Sequence, residues 1–192
     1  QWIGGMGIIV LTIAILPLLG IGGMELFVAE APGPTKDKIH PRIKETAKRL
    51  WLIYLGLTIT ETILLMCCGL NFFDAINHSL TTTSTGGFST KQDSIAAFDN
   101  YYVEAIIMIF MLAAGTNFTL LYFGLKLKLR KFIQNDEFKW YFLSVILIAI
   151  SLSFYHHYYN GSDSLISSFR AVSFQVVSII TTTGYATADY TT

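Results

Sequence analysis

Apolar residues fall into four long runs, at 2–28, 50–70, 102–125 and 138–155, separated by shorter polar or basic stretches. Each run approaches the twenty or so residues that a helix needs to cross a bilayer's hydrocarbon core, so each predicts a membrane-spanning helix. Glycines 4, 5, 7, 20, 22 and 23, together with Pro17, make the first span kinked and closely packed. Two further segments, 71–83 and 163–182, mix apolar and polar residues at helical spacing and are too short to cross. Each leads directly into a Thr/Gly-rich loop, Thr85-Gly86-Gly87-Phe88-Ser89 in one case and Thr182-Thr183-Gly184-Tyr185-Ala186 in the other.

The order span, short helix, Thr/Gly loop therefore occurs twice. Phe73-Asp74-Ala75 aligns with Phe169-Arg170-Ala171, and a one-residue slip brings Gly87 onto Gly184. This predicts an internal repeat: span, re-entrant helix, loop, span. Residues 1–30 hold the last span of a first unit, 31–49 a basic loop, 50–131 a complete second unit, and 132–192 the first span, short helix and loop of a third. The chain opens inside one apolar stretch and stops just past the second loop, which predicts an internal piece of a larger protein. The fold class expected is an all-α polytopic membrane protein, built from helix, pore loop, helix units and present here as a partial set.

Composition agrees with a membrane setting. Apolar residues make up 53% of the chain, charged residues 14%, and the formal net charge is zero. The charges are unevenly placed, with one basic cluster between Lys36 and Arg49 and another between Lys126 and Lys131. The positive-inside rule puts both on the cytoplasmic face, so both Thr/Gly loops face outward. The basic clusters suit anionic lipid, and nothing in the charge pattern points to nucleic acid. Cys67 and Cys68 are adjacent within an apolar run and read as small buried residues.

Irregular backbone at membrane depth is tolerated only where protein buries it or where it lines a watery cavity, so two such loops predict a pore. A cation sheds its hydration shell against rings of backbone carbonyls, as in the TVGYG loops of potassium channels. Both loops here keep threonine first, glycine third and an aromatic fourth. Gly87 and Gly184 can take positive φ and aim carbonyls inward. Phe88 and Tyr185 are expected to point away from the axis and wedge against the short helices, while Thr85 and Thr182 add a hydroxyl at the inner end. The expected ion-binding residues are Thr85, Gly86, Gly87, Phe88, Thr182, Thr183, Gly184 and Tyr185, with K+ as the bound and transported ion and no covalent cofactor.

At these residues the chain resembles the Trk/Ktr/HKT superfamily of potassium transporters, most closely its TrkH-type branch, the membrane subunits of bacterial Trk systems. The stretches that carry the likeness are Gln1-Trp2-Ile3-Gly4-Gly5-Met6-Gly7-Ile8 with Leu19-Gly20-Ile21-Gly22-Gly23-Met24, then 73–90, then 178–190. The resemblance implies four nonidentical repeats around one K+ pathway, a multi-pass protein of the bacterial inner membrane, and a homodimer. It also implies a cytoplasmic nucleotide-sensing regulatory subunit of the TrkA type. Ser89 and Ala186 replace the last glycine of TVGYG, so strong preference for K+ over Na+ is not implied.

Several other residues bear on chemistry. Glu61 lies mid-span, where an ionisable group is either functional or hydrogen-bonded to a neighbouring helix. Asn117, with Gly115 and Thr116, interrupts the third span and reads as a packing feature rather than an ion ligand. Asp74, His78, Arg170 and Gln175 flank the short helices, where they shape the outer field or lock helix to loop. His78 reads as a hydrogen-bonded structural group, since no second metal ligand stands at useful spacing. No catalytic signature occurs, and the chain is expected not to be an enzyme. The rival readings are a secondary carrier whose loops bind an organic solute with Na+, and a noncatalytic membrane scaffold.

Overall fold

The computed structural model describes residues 1–7, 43–125, 135–160 and 165–187. Most of the first predicted span and both basic clusters apart from residues 43–49 lie outside these residues. Among them the chain is helical. A short helical turn, Ile3–Gly7, precedes α1 (Ile43–Cys67), α2 (Phe72–Thr83), a 3-10 turn at Ser94–Phe98, α3 (Tyr101–Ala114), α4 (Phe118–Leu125), α5 (Asp136–Asn160) and α6 (Leu165–Ile180).

Two of these helices are long and apolar enough to cross a membrane, over Arg49–Cys67 and Asp136–Tyr159. α1 ends before its apolar run does because Gly69, at φ +96°, turns the chain after Cys67. The run at 102–125 is two helices rather than one. The Gly115 and Thr116 amides still bond to Met111 and Ala113, and Asn117 then offers its carbonyl to the Leu120 and Leu121 amides, opening α4. Asn117 thus stands at a helix junction. Space is tight there, since a Cβ on Gly115 would lie 2.8 Å from the Tyr141 hydroxyl and 3.0 Å from Thr181 Cγ2.

α5 shows why a span differs from a soluble helix. Ile146, Leu147, Ile150, Phe154 and Tyr155 are exposed, while Val145, Ala149 and Ser153 are buried at i, i+4 spacing. A helix apolar all round with small residues on its packed stripe suits lipid on one side and a close neighbour on the other. That neighbour is α6. α1 packs against α2, α3 and α4, and α3 also meets α2 and α6. One apolar cluster, including Leu65, Ile107, Met111, Val145, Phe174 and Tyr185, joins the two predicted units. A second gathers Leu50, Ile53, Tyr54 and Phe118 near the other end of α1.

The candidate functional site: two facing Thr/Gly loops

α2 buries the side that solubility rules would put outside. Asp74, Ala75, His78, Ser79, Thr82 and Thr83 are buried, whereas Phe72 and Phe73 are exposed. The polar face stays satisfied because each hydroxyl finds a carbonyl one turn back: Ser79 donates to Ala75, Thr82 to His78 and Thr83 to Ser79, at 2.7–2.8 Å. Asn71 caps the N-terminus, its side chain accepting from the Asp74 amide at 2.7 Å.

The C-termini of α2 and α6 close in the same way. The Thr85 amide bonds to the Thr82 carbonyl at 2.9 Å and the Gly86 amide to the Thr81 carbonyl at 2.7 Å. The Thr182 amide bonds to Ile179 at 3.0 Å and the Thr183 amide to Ser178 at 2.9 Å. These are Schellman closures, which need a left-handed residue just past the helix and normally recruit glycine. Here threonine fills that position twice, Thr85 at φ +50° and Thr182 at φ +58°. Strain of this kind, of order 1–2 kcal/mol per residue, collects at functional sites. Gly87 at φ +65° and Gly184 at φ +88° follow two residues later. Each loop therefore runs positive, negative, positive in φ over 85–87 and 182–184. The sequence pointed to the glycines; it carried no signal for the left-handed threonines.

The loops meet backbone to backbone. A Cβ placed on Gly87 would fall 1.9 Å from the Thr183 carbonyl oxygen and 2.8 Å from its carbon. Beside Gly86, by contrast, stands the Gln1 side chain. The segment ahead of α1 also locks onto this region: Trp2 donates to Thr58 at 3.0 Å, Tyr54 to the Trp2 carbonyl at 3.0 Å, and Thr58 to Thr83 at 3.2 Å.

The two aromatics differ. Tyr185 is fully buried, with its phenol 2.6 Å from Thr81 Oγ1 and donating to the His78 carbonyl at 3.1 Å. Ser178 holds the Tyr185 carbonyl at 2.7 Å. Phe88 is 68% exposed, contrary to the expectation that it packs like Tyr185. The physical reason is that Tyr185 leans on α2, and no described element offers Phe88 the same surface.

Behind the loops lies a polar frame. His78 is buried, its Nδ1 2.7 Å from the Asp74 carbonyl and its Nε2 2.9 Å from Ser89 Oγ. A carbonyl only accepts, so Nδ1 carries a proton, and Ser89 can donate to Nε2 while accepting from the Lys91 amide at 3.0 Å. Both ring nitrogens of His78 are thus occupied by partners on α2 and the loop after it. Asp74 binds Thr90 and sits 3.6 Å from Lys91. The Thr90 hydroxyl, then the Lys91 charge, hold its carboxyl below the ordinary carboxylate range against the opposing effect of burial. The 3-10 turn completes the frame, with the Ile95 amide donating to the Ala186 carbonyl at 3.1 Å and the Ala186 amide to Ser94 Oγ at 3.2 Å.

Because the folded state lowers the Asp74 pKa, its contribution is complete above the ordinary value of about 3.9 and is lost as pH falls through the lower folded value. Asp74→Asn is expected to destabilise the full-length protein by about 1 kcal/mol at neutral pH. It should also flatten the acid side of a melting-temperature profile, which a thermal-shift series in detergent measures.

Arg170 and Glu104 form a bidentate pair at 2.7 and 2.7 Å, joining α6 to the first turn of α3. Glu104 was not singled out by the sequence, since nothing local marks a partner 66 residues away. The buried Gln175 Oε1 has no hydrogen-bond partner among the described residues.

Comparison with known proteins places this arrangement. The family model described as TrkH, cation transport protein, matches residues 1–192. The chain belongs to the TrkH family. It is 45% identical to the Trk system potassium uptake protein TrkH of Salmonella typhimurium, over 97% of the chain and 39% of that protein. It is 43% identical to the protein of the same name from Halomonas elongata, over 100% of the chain and 40% of that protein. Among solved structures it matches the crystal structure of the potassium transporter TrkH from Vibrio parahaemolyticus, with a TM-score of 0.76 and 38% identity. That match covers 98% of this chain and 38% of the other. The chain thus spans about two fifths of the length of these TrkH relatives. The all-α, polytopic membrane architecture expected from the apolar runs is that of the TrkH family.

Proposed function

We propose that the loops at 85–88 and 182–185 are two of the ion-coordinating segments of a K+ pathway, and that the full-length protein carries K+ across the bacterial inner membrane without catalysing a reaction. The observation that carries this reading is the apposition of Gly87 with the Thr183 carbonyl, within two loops of matching φ pattern. The two loops share one backbone course, positive, negative, positive in φ, and paired filter loops of this kind bring backbone carbonyls to a common ion path. Carbonyls gathered in this way replace the water of a cation. The names of the TrkH relatives, potassium uptake proteins, support K+ as the ion.

The same proposal assigns 50–131 to a complete repeat unit and 1–30 and 132–192 to parts of its neighbours. It includes a homodimer and a cytoplasmic TrkA-type nucleotide-sensing subunit, with the basic stretches 36–49 and 126–131 as contacts for that subunit or for anionic lipid. Full-length protein reconstituted in liposomes should take up radioactive rubidium, with K+ competing better than Na+ and no competition from amino acids or sugars. An organic competitor would favour a solute carrier, and absence of any flux a scaffold.

A further inference from the structure

Seven residues before the aromatic of each loop stands a hydroxyl that donates to that aromatic's own carbonyl, Thr81 to Phe88 at 2.9 Å and Ser178 to Tyr185 at 2.7 Å. The same two residues also close their helices. The Thr81 carbonyl accepts the Gly86 amide at 2.7 Å, and the Ser178 carbonyl accepts the Thr183 amide at 2.9 Å. By the alignment that sets Gly87 on Gly184, Ser178 is the counterpart of Thr81. Each loop is thus held at two points by one residue of the helix before it, which fixes the direction of the aromatic's carbonyl.

Thr81 does more than Ser178, because it also touches the other loop. The Tyr185 phenol, 104 residues away in sequence, lies 2.6 Å from Thr81 Oγ1. The Thr82 hydroxyl already donates to the His78 carbonyl at 2.7 Å. The phenol proton is therefore shared between that carbonyl, at 3.1 Å, and the nearer Thr81 Oγ1. When Thr81 accepts from the phenol, its own proton is left for the Phe88 carbonyl and for the Asn77 carbonyl one turn back, each at 2.9 Å. A path of hydrogen bonds then runs from the ring of the second loop to the backbone of the first. We propose that Thr81 is a positioning residue of the ion pathway, the junction that sets the Phe88 carbonyl of one loop against the Tyr185 anchor of the other. This rests on the filter reading of the loops and assigns their mutual spacing to one hydroxyl on α2.

Competitive uptake by the full-length protein in liposomes tests the proposal. Thr81→Val keeps the shape and removes the hydroxyl, and should lower the preference for K+ over Na+ roughly fivefold, the effect of losing about one buried hydrogen bond. Thr81→Ser keeps the hydroxyl and should retain the wild-type preference, which a role in packing alone would not restore. Tyr185→Phe cuts the same path from its other end, so the double variant with Thr81→Val should lose no more than the worse single variant. Melting temperatures of the two singles and the double should be non-additive in the same sense, and this arm does not depend on what the loops conduct. A Thr81→Val variant as selective as wild type while Gly87→Ala is not, a Thr81→Ser variant as poor as Thr81→Val, or additive melting losses would each overturn the proposal. Should Thr81→Val not reach the membrane, Tyr185→Phe alone decides, and a wild-type preference there overturns it equally. Failure of the filter reading itself would look different: the loop glycine variants and Thr81→Val would all leave ion preference unchanged while the melting losses stayed non-additive.

Discussion

Gly87→Ala is expected to lower the K+ over Na+ preference of the full-length protein in competitive uptake, and Gly184→Ala to lower it less. Both residues have positive φ, so alanine at either carries the left-handed penalty of roughly 1–2 kcal/mol. Their surroundings decide the rest. At Gly184 a Cβ meets nothing within 4 Å. At Gly87 it would lie 1.9 Å from the Thr183 oxygen, 2.8 Å from the Thr183 carbonyl carbon and 3.1 Å from the Gly184 carbonyl carbon. All three are backbone atoms and cannot swing aside as a side chain would, so the second loop must be displaced. Matched uptake series for both variants, normalised to protein in the membrane, check the ordering. Equal losses, or a worse Gly184→Ala, would show that the apposition does not set ion preference.

Arg170→Met is expected to destabilise the protein by about 2 kcal/mol, and Glu104→Gln by less, about 1 kcal/mol. The asymmetry follows from burial. The Glu104 side chain is 11% exposed and, without Arg170, remains an unpaired carboxylate; the Arg170 side chain is 40% exposed and can turn to water when its partner is lost. The Tyr101 ring, 5.4 Å from the guanidinium carbon, also retains some attraction for the cation. Thermal unfolding of the two single variants and the double variant gives the coupling as a cycle. Equal single-variant losses or zero coupling would mean that the pair does not pin α6 to α3.

What could be read along the chain was what depends on neighbours in sequence. Apolar run length marked the regions of α1 and α5, and the short mixed segments marked α2 and α6, because the hydrocarbon thickness and the helical period act within one segment. The run at 102–125 looked like a single span because its hydropathy is continuous. The interruption at Gly115, Thr116 and Asn117 was marked by residue type, but that it ends one helix and opens another appears only in the structure, where Gly115 lies against Tyr141 and Thr181. The end points shifted for a similar reason: α1 stops at Cys67 because of one left-handed glycine, Gly69, which hydropathy does not register.

The sequence by itself determined the membrane character, the regions of α1, α2, α5 and α6, and the two Thr/Gly loops with Gly87 and Gly184 as their flexible points. These follow from residue type and local spacing alone. Tertiary structure decided which surfaces those loops present. It set Gly87 against the Thr183 carbonyl, buried Tyr185 on α2 while leaving Phe88 exposed, paired Glu104 with Arg170, and enclosed Glu61. Those contacts join residues up to 107 positions apart, as between Tyr185 and His78. Such pairings depend on how whole helices pack, because a side chain's environment is set by whatever element the fold brings against it and not by its neighbours along the chain.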